Sequence, residues 1–237
     1  MEKNKKKGLF IASSKFKKGS HLIKLPGCES DLIGMRDTFY ELGFQITTVL
    51  NCEISEINKN IKTFLKSLEE GDTVVFYYSG HGVTAGGRAL LAAYDTDIKN
   101  LKETSFCVNK YMMGVNKKNV KISLLFLDCC RNQLPQHIKD LEVRIHLKPM
   151  HNTYIAFATC PYGISEGYEM KDGKCEKSVF TNRLIEGISN LNSNIIDIMM
   201  YVRKKVIEDT DGEQIPCDTS TLNDHFYFVD TNSLLEE

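Results

Sequence analysis

The chain has 237 residues, of which 42% are apolar and 26% charged, and it contains only 5 prolines. This length suffices for one large domain with a full hydrophobic core, and this composition excludes a mainly disordered or fibrous chain. No apolar run reaches the roughly 18 residues that a membrane-spanning helix needs, and no secretory signal follows the first lysines. We therefore expect a single domain over residues 1–237, with a basic tail at 1–6 and a second tail at 231–237.

The distribution of charge and the cysteine content indicate which partners, cellular location and metal content to expect. The formal net charge is −1, but residues 1–24 hold eight lysines against one glutamate, which gives +7 there and −8 for the remainder. A solvated end is the commonest explanation of such a segment, so we expect neither a nucleic-acid nor a membrane partner. The eight cysteines include no CxxC pair and no zinc-like cluster with histidine. We therefore expect reduced thiols, a cytoplasmic location and no metal.

Short β-type runs alternate with helical patterns along the chain, which predicts parallel strands joined by crossover helices. The predicted strands are residues 7–13, 45–50, 73–78, 88–94, 121–127, 154–158 and, as the last strand, 226–229. The predicted helices are residues 31–42, 55–68, 108–115, 178–188 and 195–206. Ser30 or Asp31 is positioned to cap the first helix, Gly43 ends it, and Gly86 with Gly87 forms a hairpin turn. The fold class is therefore α/β.

Two central strands end in residues that carry chemistry. In open α/β sheets, reactive groups collect where the carboxyl ends of the central strands meet their loops. His81 follows the strand 73–78, and Cys130 follows the strand 121–127, 49 residues further along the chain. A thiolate is the nucleophile in cysteine enzymes, and an imidazole activates the thiol or protonates the departing amine. The backbone N–H groups of Gly82 and Cys130 are candidates for an oxyanion hole.

At these positions the chain resembles the caspase superfamily, through YYSGHG at residues 77–82 and LDCCR at residues 127–131. The paracaspase cysteine motif, Asp, any residue, Cys, Arg, matches residues 128–131 position by position. Metacaspases have His-Ser-Gly after the cysteine, whereas this chain has Arg-Asn-Gln at residues 131–133, which favours the paracaspase branch. The resemblance extends over residues 8–229. It implies a caspase-like three-layer α/β/α sandwich around a mostly parallel, roughly six-stranded sheet.

The resemblance also assigns roles to the two adjacent cysteines. It implies that Cys130, directly before the arginine, is the nucleophile and that His81 is its catalytic partner. Cys129 is then a packed side chain at the end of the strand, because neighbouring residues of a strand point to opposite faces. We interpret the six remaining cysteines and the five remaining histidines as structural or incidental residues.

An acidic specificity pocket is the next expectation. Caspases proper have Gln where this chain has Asp128, and an acid at the base of a pocket rejects aspartate and attracts Arg or Lys. Asp31 matches the pocket aspartate of the family, although a helix N-cap explains it as well. Glu166 lies where paracaspases place an acidic pocket residue, with Glu169 as a competitor.

The sequence thus predicts a cysteine endopeptidase that cleaves polypeptides after Arg, and after Lys as a second basic residue, without a cofactor. One alternative is a calcium-dependent metacaspase, for which Asp209, Asp211 and Glu213 provide a small carboxylate cluster. Another alternative is a caspase-like interaction module with little activity. The expected partners are peptide substrates with a basic residue before the cut, and a second copy of the chain in a homodimer through the last strand, 226–229.

Overall fold

A computed structural model describes residues 5–85, 88–130, 147, 150–159, 170–171, 174–175, 177–190 and 192–229, excluding the side chains of residues 84, 85, 130, 170, 171, 174 and 175. Its strands are β1 Lys6–Ala12, β2 Gln45–Leu50, β3 Thr73–Ala85, β4 Arg88–Ala92, β5 Ser105–Cys107, β6 Ile122–Cys130, β7 Thr153–Phe157, β8 Met170–Lys171, β9 Lys174–Cys175 and β10 Cys217–Ser220. Its helices are α1 Gly27–Glu41, α2 Ile54–Ser67, α3 Leu101–Thr104, α4 Val108–Asn116, α5 Val179–Asn190 and α6 Ile195–Asp209, and a 3₁₀ turn spans Ile98–Asn100.

The main sheet has the strand order β10-β7-β6-β3-β1-β2. Strands β2, β1, β3, β6 and β7 run parallel, and β10 pairs with β7 in the antiparallel direction. The end of β3 leaves this sheet in a hairpin with β4, which also pairs with β5. The chain moves outward from β1 to β2 and then returns to the other side of β1 for β3, so the topological switch point lies between β1 and β3.

Helices cover both faces of the sheet. Helices α1, α5 and α6 pack on one face through residues such as Phe39, Leu184 and Val202, and α2 and α4 pack on the other face through residues such as Phe64 and Tyr111. The predicted three-layer arrangement around a mostly parallel sheet is confirmed. No helix in the described ranges combines the length and apolar character needed to cross a bilayer.

The element containing Asp31 begins earlier than predicted. Helix α1 begins at Gly27, directly after Pro26, whose φ of −60° suits a helix start. Asp31 therefore lies within the second turn, and the prediction that Ser30 or Asp31 caps the helix is wrong. Gly43 ends the helix as predicted, with a φ of +80° that favours glycine.

The prediction of a last strand at residues 226–229 is also wrong. The edge position next to β7 is occupied by β10, Cys217–Ser220. Phe226 and Phe228 are buried, 8% and 4% exposed, and their rings lie 5.0 Å apart. The segment has alternating burial because its two phenylalanines pack into the core beneath α1, where Phe228 lies 5.4 Å from Phe39.

The basic N-terminal segment is partly built into the sheet. Lys6 begins β1, so the predicted tail over residues 1–6 overlaps the sheet. The ammonium of Lys7 is buried and lies 2.7 Å from the Asp72 carboxylate, and it also donates a hydrogen bond to the Ser67 carbonyl. Burial raises the pKa of Asp72, but Lys7 and two backbone N–H donors outweigh that effect, so the pKa lies below its ordinary value.

We expect Lys7→Met to lower the free energy of unfolding by about 3–5 kcal/mol, because it leaves the buried Asp72 carboxylate without its cation. The matched control is Lys204→Met, since Lys204 forms an exposed pair with Glu208 at 3.9 Å and such pairs contribute about 0–1 kcal/mol. Urea unfolding at pH 7 measures both values. The difference in the free energy of unfolding between the two variants should shrink below about pH 4. There Asp72 becomes protonated first in the unfolded chain and, at lower pH, also in the folded chain. Equal losses in the two variants at pH 7 would contradict the role of the buried pair.

Candidate active site

The backbone brings the two predicted catalytic positions side by side. Strands β3 and β6 pair in parallel register from Thr73 opposite Ile122 to His81 opposite Cys130. Neighbouring strands lie about 4.8 Å apart, so the two residues are adjacent at the carboxyl edge of the sheet. Both strands extend further than predicted, because their ladder continues through the two motifs instead of ending at Tyr78 and Leu127.

The loop between β1 and α1 holds the imidazole of His81. Nε2 of His81 lies 2.8 Å from the carbonyl oxygen of Ile23. A carbonyl only accepts hydrogen bonds, so Nε2 carries a proton and Nδ1 is the nitrogen left for a second partner. The side chain is 5% exposed, and the ring of Phe16 lies 5.1 Å from it. Burial lowers the pKa of His81, and the bond to Ile23, which favours the charged form, opposes this effect more weakly.

Tyr78 and Gly80 shape the backbone that leads to His81. The Tyr78 hydroxyl lies 2.9 Å from the carbonyl oxygen of His81 and 3.0 Å from that of Ala92, which joins β3 to β4. Gly80 has a φ of +154°, and a Cβ atom there would lie 2.4 Å from the Tyr78 hydroxyl oxygen. A glycine at this position therefore permits both the backbone conformation and the hydroxyl contact.

Gly82 and Cys129 pack against each other. A Cβ atom at Gly82 would lie 2.9 Å from Sγ of Cys129, so the close approach of β3 and β6 requires glycine there. Cys129 is 2% exposed and belongs to the core on the α2 and α4 face. This placement agrees with the prediction that Cys129 is a packed side chain.

Asp31 lies at the base of the site, and its side chain is fully buried within α1. Its carboxylate accepts a hydrogen bond of 2.8 Å from the Ser79 hydroxyl and another of 2.8 Å from the Ser178 backbone N–H. Ser79 precedes His81 by two residues on β3, so Asp31 lies under the same strand end. Asp31 therefore connects α1 to β3 and to the start of α5.

Asp128 lies on β6 and is 4% exposed. Its Oδ2 accepts hydrogen bonds from the Ser178 hydroxyl and, at 2.6 Å, from the Thr181 hydroxyl. Since Thr181 donates its proton to Asp128, the Tyr77 hydroxyl 2.7 Å away donates to Thr181. Burial raises the pKa of Asp128, and the two hydroxyl donors lower it less. Ser178 thus bonds to both predicted pocket aspartates.

Other predicted positions lie elsewhere. Glu166 and Glu169 fall outside the described residues. Asp209, from the proposed calcium cluster, receives a two-pronged contact from the Arg183 guanidinium, at 2.5 and 2.9 Å. Over the described ranges, no group of three His, Cys, Asp or Glu side chains is arranged to hold a metal ion.

Sequence reasoning missed the residues that organise the site. Ser178 and Thr181 were predicted only as the beginning of a helix, and their hydroxyls are the donors to Asp128. The Ser178 hydroxyl also accepts the Thr181 N–H at 3.0 Å, as a helix N-cap does. Ser and Thr at a predicted helix start were the available signal. No sequence signal marks the Ile23 carbonyl as a partner of His81, because every residue has a backbone carbonyl group.

Comparison with known proteins identifies the family. The family described as the caspase domain matches residues 5–227. The mucosa-associated lymphoid tissue lymphoma translocation protein 1 of Homo sapiens and its homologue in Mus musculus are each 24% identical over 162 residues, which are 66% of this chain and 19% of theirs. The chain therefore spans about a fifth of the length of these relatives.

Two solved structures share the fold. The structure of pro-sf-caspase-1 superposes with a TM-score of 0.73 at 20% identity, over 97% of this chain and 92% of that one. Caspase-1 from Spodoptera frugiperda gives 0.72 at 20% identity, over 97% and 93% of the two chains. The chain belongs to the caspase-domain family and has the fold of its cysteine peptidases. It is a paracaspase-like member of the caspase superfamily, as its sequence motifs predicted.

We expect the His81 pKa to lie below 6.5 in Cys130→Ala protein, which carries no thiol at that position. Phe16→Ala should raise this pKa toward 6.5, because water then reaches the ring, whereas Phe16→Leu keeps the apolar cover. Titration of the His81 ring protons by NMR, assigned with His81→Gln, measures these values. Because the folded pKa is depressed, the native state also loses stability as the pH falls below about 6.5. A pKa above 6.5, or identical values in the two Phe16 variants, would contradict this account of the imidazole.

Proposed function

We propose that the chain is a cysteine endopeptidase that cleaves polypeptides after Arg, and after Lys as a second basic residue. The observation that carries this proposal is the pair of buried carboxylates, Asp31 and Asp128, joined by Ser178 below the strand ends that hold His81 and Cys130. A buried carboxylate favours a cationic partner, and the basic side chain of a substrate would supply one.

In the proposed reaction, the Cys130 thiolate attacks the scissile carbonyl carbon and forms a tetrahedral intermediate. The N–H groups of Gly82 and Cys130 donate hydrogen bonds to its oxyanion. His81 takes the thiol proton at Nδ1, since Nε2 is bound to Ile23, and then transfers it to the departing amine. Water hydrolyses the resulting thioester and restores the thiol.

The proposed pocket predicts a preference for Arg over both Asp and Lys. A substrate aspartate would add a third carboxylate to a buried pair, which costs several kcal/mol. The oxygens of Asp31 and Asp128 belong to different elements, so a planar guanidinium with several donors satisfies more of them than an ammonium does. Glu166, or Glu169 in its place, remains our proposal for a further acid at this pocket.

The two alternative functions, a calcium-dependent peptidase and an interaction module with little activity, require different arrangements of these residues. A calcium-dependent peptidase needs carboxylates available to a cation, and Asp209 is bound to Arg183. An interaction module without activity needs no acidic pocket, so the fully buried Asp31 and its two donors favour a peptidase. Activity that requires calcium would favour the first of these alternatives.

We expect Asp31→Asn to lower kcat/KM for an arginyl peptide by roughly 10²- to 10³-fold, because it removes one buried charge from the pocket. The matched control is Asp37→Asn, which lies on the same helix but is exposed and paired with its neighbour Arg36. The control should change kcat/KM less than about threefold. A fluorogenic peptide series that differs only in the residue before the cut measures both effects.

The same series contains the outcomes that contradict the proposal. Efficient cleavage after Asp, with none after Arg, would exclude the acidic pocket. Modification of Cys130 by an arginyl peptide with an electrophilic end, detected by mass spectrometry and absent in Cys130→Ala, is expected of a peptidase. Absence of both labelling and cleavage, with or without calcium, would favour the interaction module.

We also propose a homodimer, now through β10 instead of residues 226–229. Strand β10 pairs on one side with β7, and within the described residues its other side has no partner strand. The Arg203 guanidinium holds β10 by bonds to the Pro216 carbonyl and the Asp218 carboxylate. An exposed, fixed strand edge is suited to pairing with its own copy around a two-fold axis.

We expect a monomer–dimer equilibrium in which specific activity rises with the dimer fraction. Sedimentation velocity over a wide concentration range, with peptidase activity measured on the same samples, tests this expectation. A strict monomer of constant specific activity would exclude the dimer. Phe228→Asp is unsuitable as a probe, because Phe228 is 4% exposed in the core.

A further inference from the structure

Half of the eight lysines of the N-terminal segment lie in the loop that contacts His81. Residues 13–26 form the connection between β1 and α1, which we call the lysine loop, and they contain four lysines and no acid. All four lysine side chains are exposed: Lys15, Lys17, Lys18 and Lys24. These four lysines are solvated as expected, but they lie in the connection between β1 and α1 and not at the end of the chain.

The lysine loop is fixed relative to His81. Phe16 packs on the imidazole ring, and the Ile23 carbonyl accepts the hydrogen bond from Nε2. At its start the loop is tied to the hairpin, since the Lys17 N–H donates to the Tyr94 carbonyl at 2.8 Å. The loop lysines are therefore held at a defined side of His81.

A cleft of about 330 Å³ lies between the lysine loop and the turn that follows β4, and it is lined by Lys17, Lys18 and Lys99 among other residues. Its two acids already have partners. Asp95 accepts the Ile54 N–H at 2.8 Å, and Asp97 accepts the Lys99 N–H at 2.9 Å. Hydrogen bonds from backbone N–H groups leave both carboxylates charged, so the cleft carries three ammonium groups against two carboxylates and has a net positive charge.

The cleft and the surroundings of His81 have one lining residue in common, Thr96, which is buried. Thr96 lines this cleft and also lines a smaller cavity together with His81, Gly82 and Leu22. The imidazole must lie beside the departing amine in order to protonate it. Under the proposed function, Asp31 and Asp128 hold the residue before the cut, and we assign the cleft near His81 to the residues that follow the cut.

We propose that the lysine loop and Lys99 form a subsite for acidic residues that follow the scissile bond. This inference rests on the proposed function, and it names the substrate class more closely as a basic residue followed by an acidic segment. A short acidic peptide fits better than an extended polyanion, because the chain outside residues 1–24 carries a charge of −8 and repels a long polyanion.

The test uses two internally quenched peptides that are identical through the arginine before the cut. After a common small residue, one continues with three glutamates and the other with three glutamines. We expect kcat/KM to be about tenfold higher for the glutamate peptide at low ionic strength, since each exposed charge pair contributes modestly. The ratio should approach one in 1 M KCl, where the Debye length is about 3 Å.

Two double variants localise the effect. Lys17→Gln/Lys18→Gln should bring the glutamate to glutamine ratio close to one. The matched control is Lys59→Gln/Lys62→Gln, two exposed lysines of α2, and it should keep the ratio of the wild-type chain. A wild-type ratio near one, or equal loss in the two double variants, would overturn the proposal.

Binding to the full Cys130→Ala chain separates this inference from the proposed function. Fluorescence anisotropy with the same two peptides should show the same preference without cleavage. If the preference is present but the wild-type chain cleaves neither peptide, the subsite stands and the catalytic proposal fails. If a ten-nucleotide single strand of DNA displaces the glutamate peptide at equal or lower concentration, the loop is a nucleic-acid site and the proposal is overturned.

Discussion

The contact on which the site depends is the double hydrogen bond of Ser178. Its N–H donates to Asp31 on α1, and its hydroxyl donates to Asp128 on β6. Because Ser178 immediately precedes α5, one residue joins three elements around two buried carboxylates. Burying two carboxylates is costly, and in the proposed function the basic side chain of a substrate offsets part of that cost. The proposed specificity for Arg follows from this arrangement.

Charges of opposite sign occupy different dielectric environments at the carboxyl edge of the sheet. The two carboxylates are buried away from water, where an interaction with a cation is weakly screened. The ammonium groups of the lysine loop are exposed, where salt screens them. Recognition of the residue before the cut should therefore be strong and insensitive to salt. Recognition of the residues after the cut should be weaker and tunable by ionic strength.

The sequence allowed the sheet, and the proximity of His81 and Cys130 at its edge, to be predicted because hydrophobic periodicity reveals the central strands directly. The runs 73–78 and 121–127 are apolar enough to be central strands, and parallel strands bring their carboxyl ends to one edge. His81 and Cys130 were therefore expected to be close, and the register places them opposite each other. The roles of Asp31 and Asp128 came from the family resemblance, since composition does not show which carboxylates are buried.

The errors have two physical origins. Alternating apolar residues report burial and not strand pairing, so Phe226 and Phe228 were read as a strand although they fill a gap beneath α1. The true edge strand, CDTS at residues 217–220, has little apolar pattern because none of its side chains is fully buried. Long-range hydrogen bonds from side chains to backbone atoms, such as that from His81 to Ile23, cannot be predicted from the residue types in a sequence.

The most direct test of the acidic pocket compares arginine with citrulline, which has nearly the same shape and no charge. Isothermal titration of the Cys130→Ala chain with two peptides that differ only in this residue measures the contribution of the charge. We predict that the arginyl peptide binds at least about 100-fold more tightly, which corresponds to the roughly 3 kcal/mol expected for a buried, paired charge. Equal affinities for the two peptides would show that Asp31 and Asp128 do not recognise a cation.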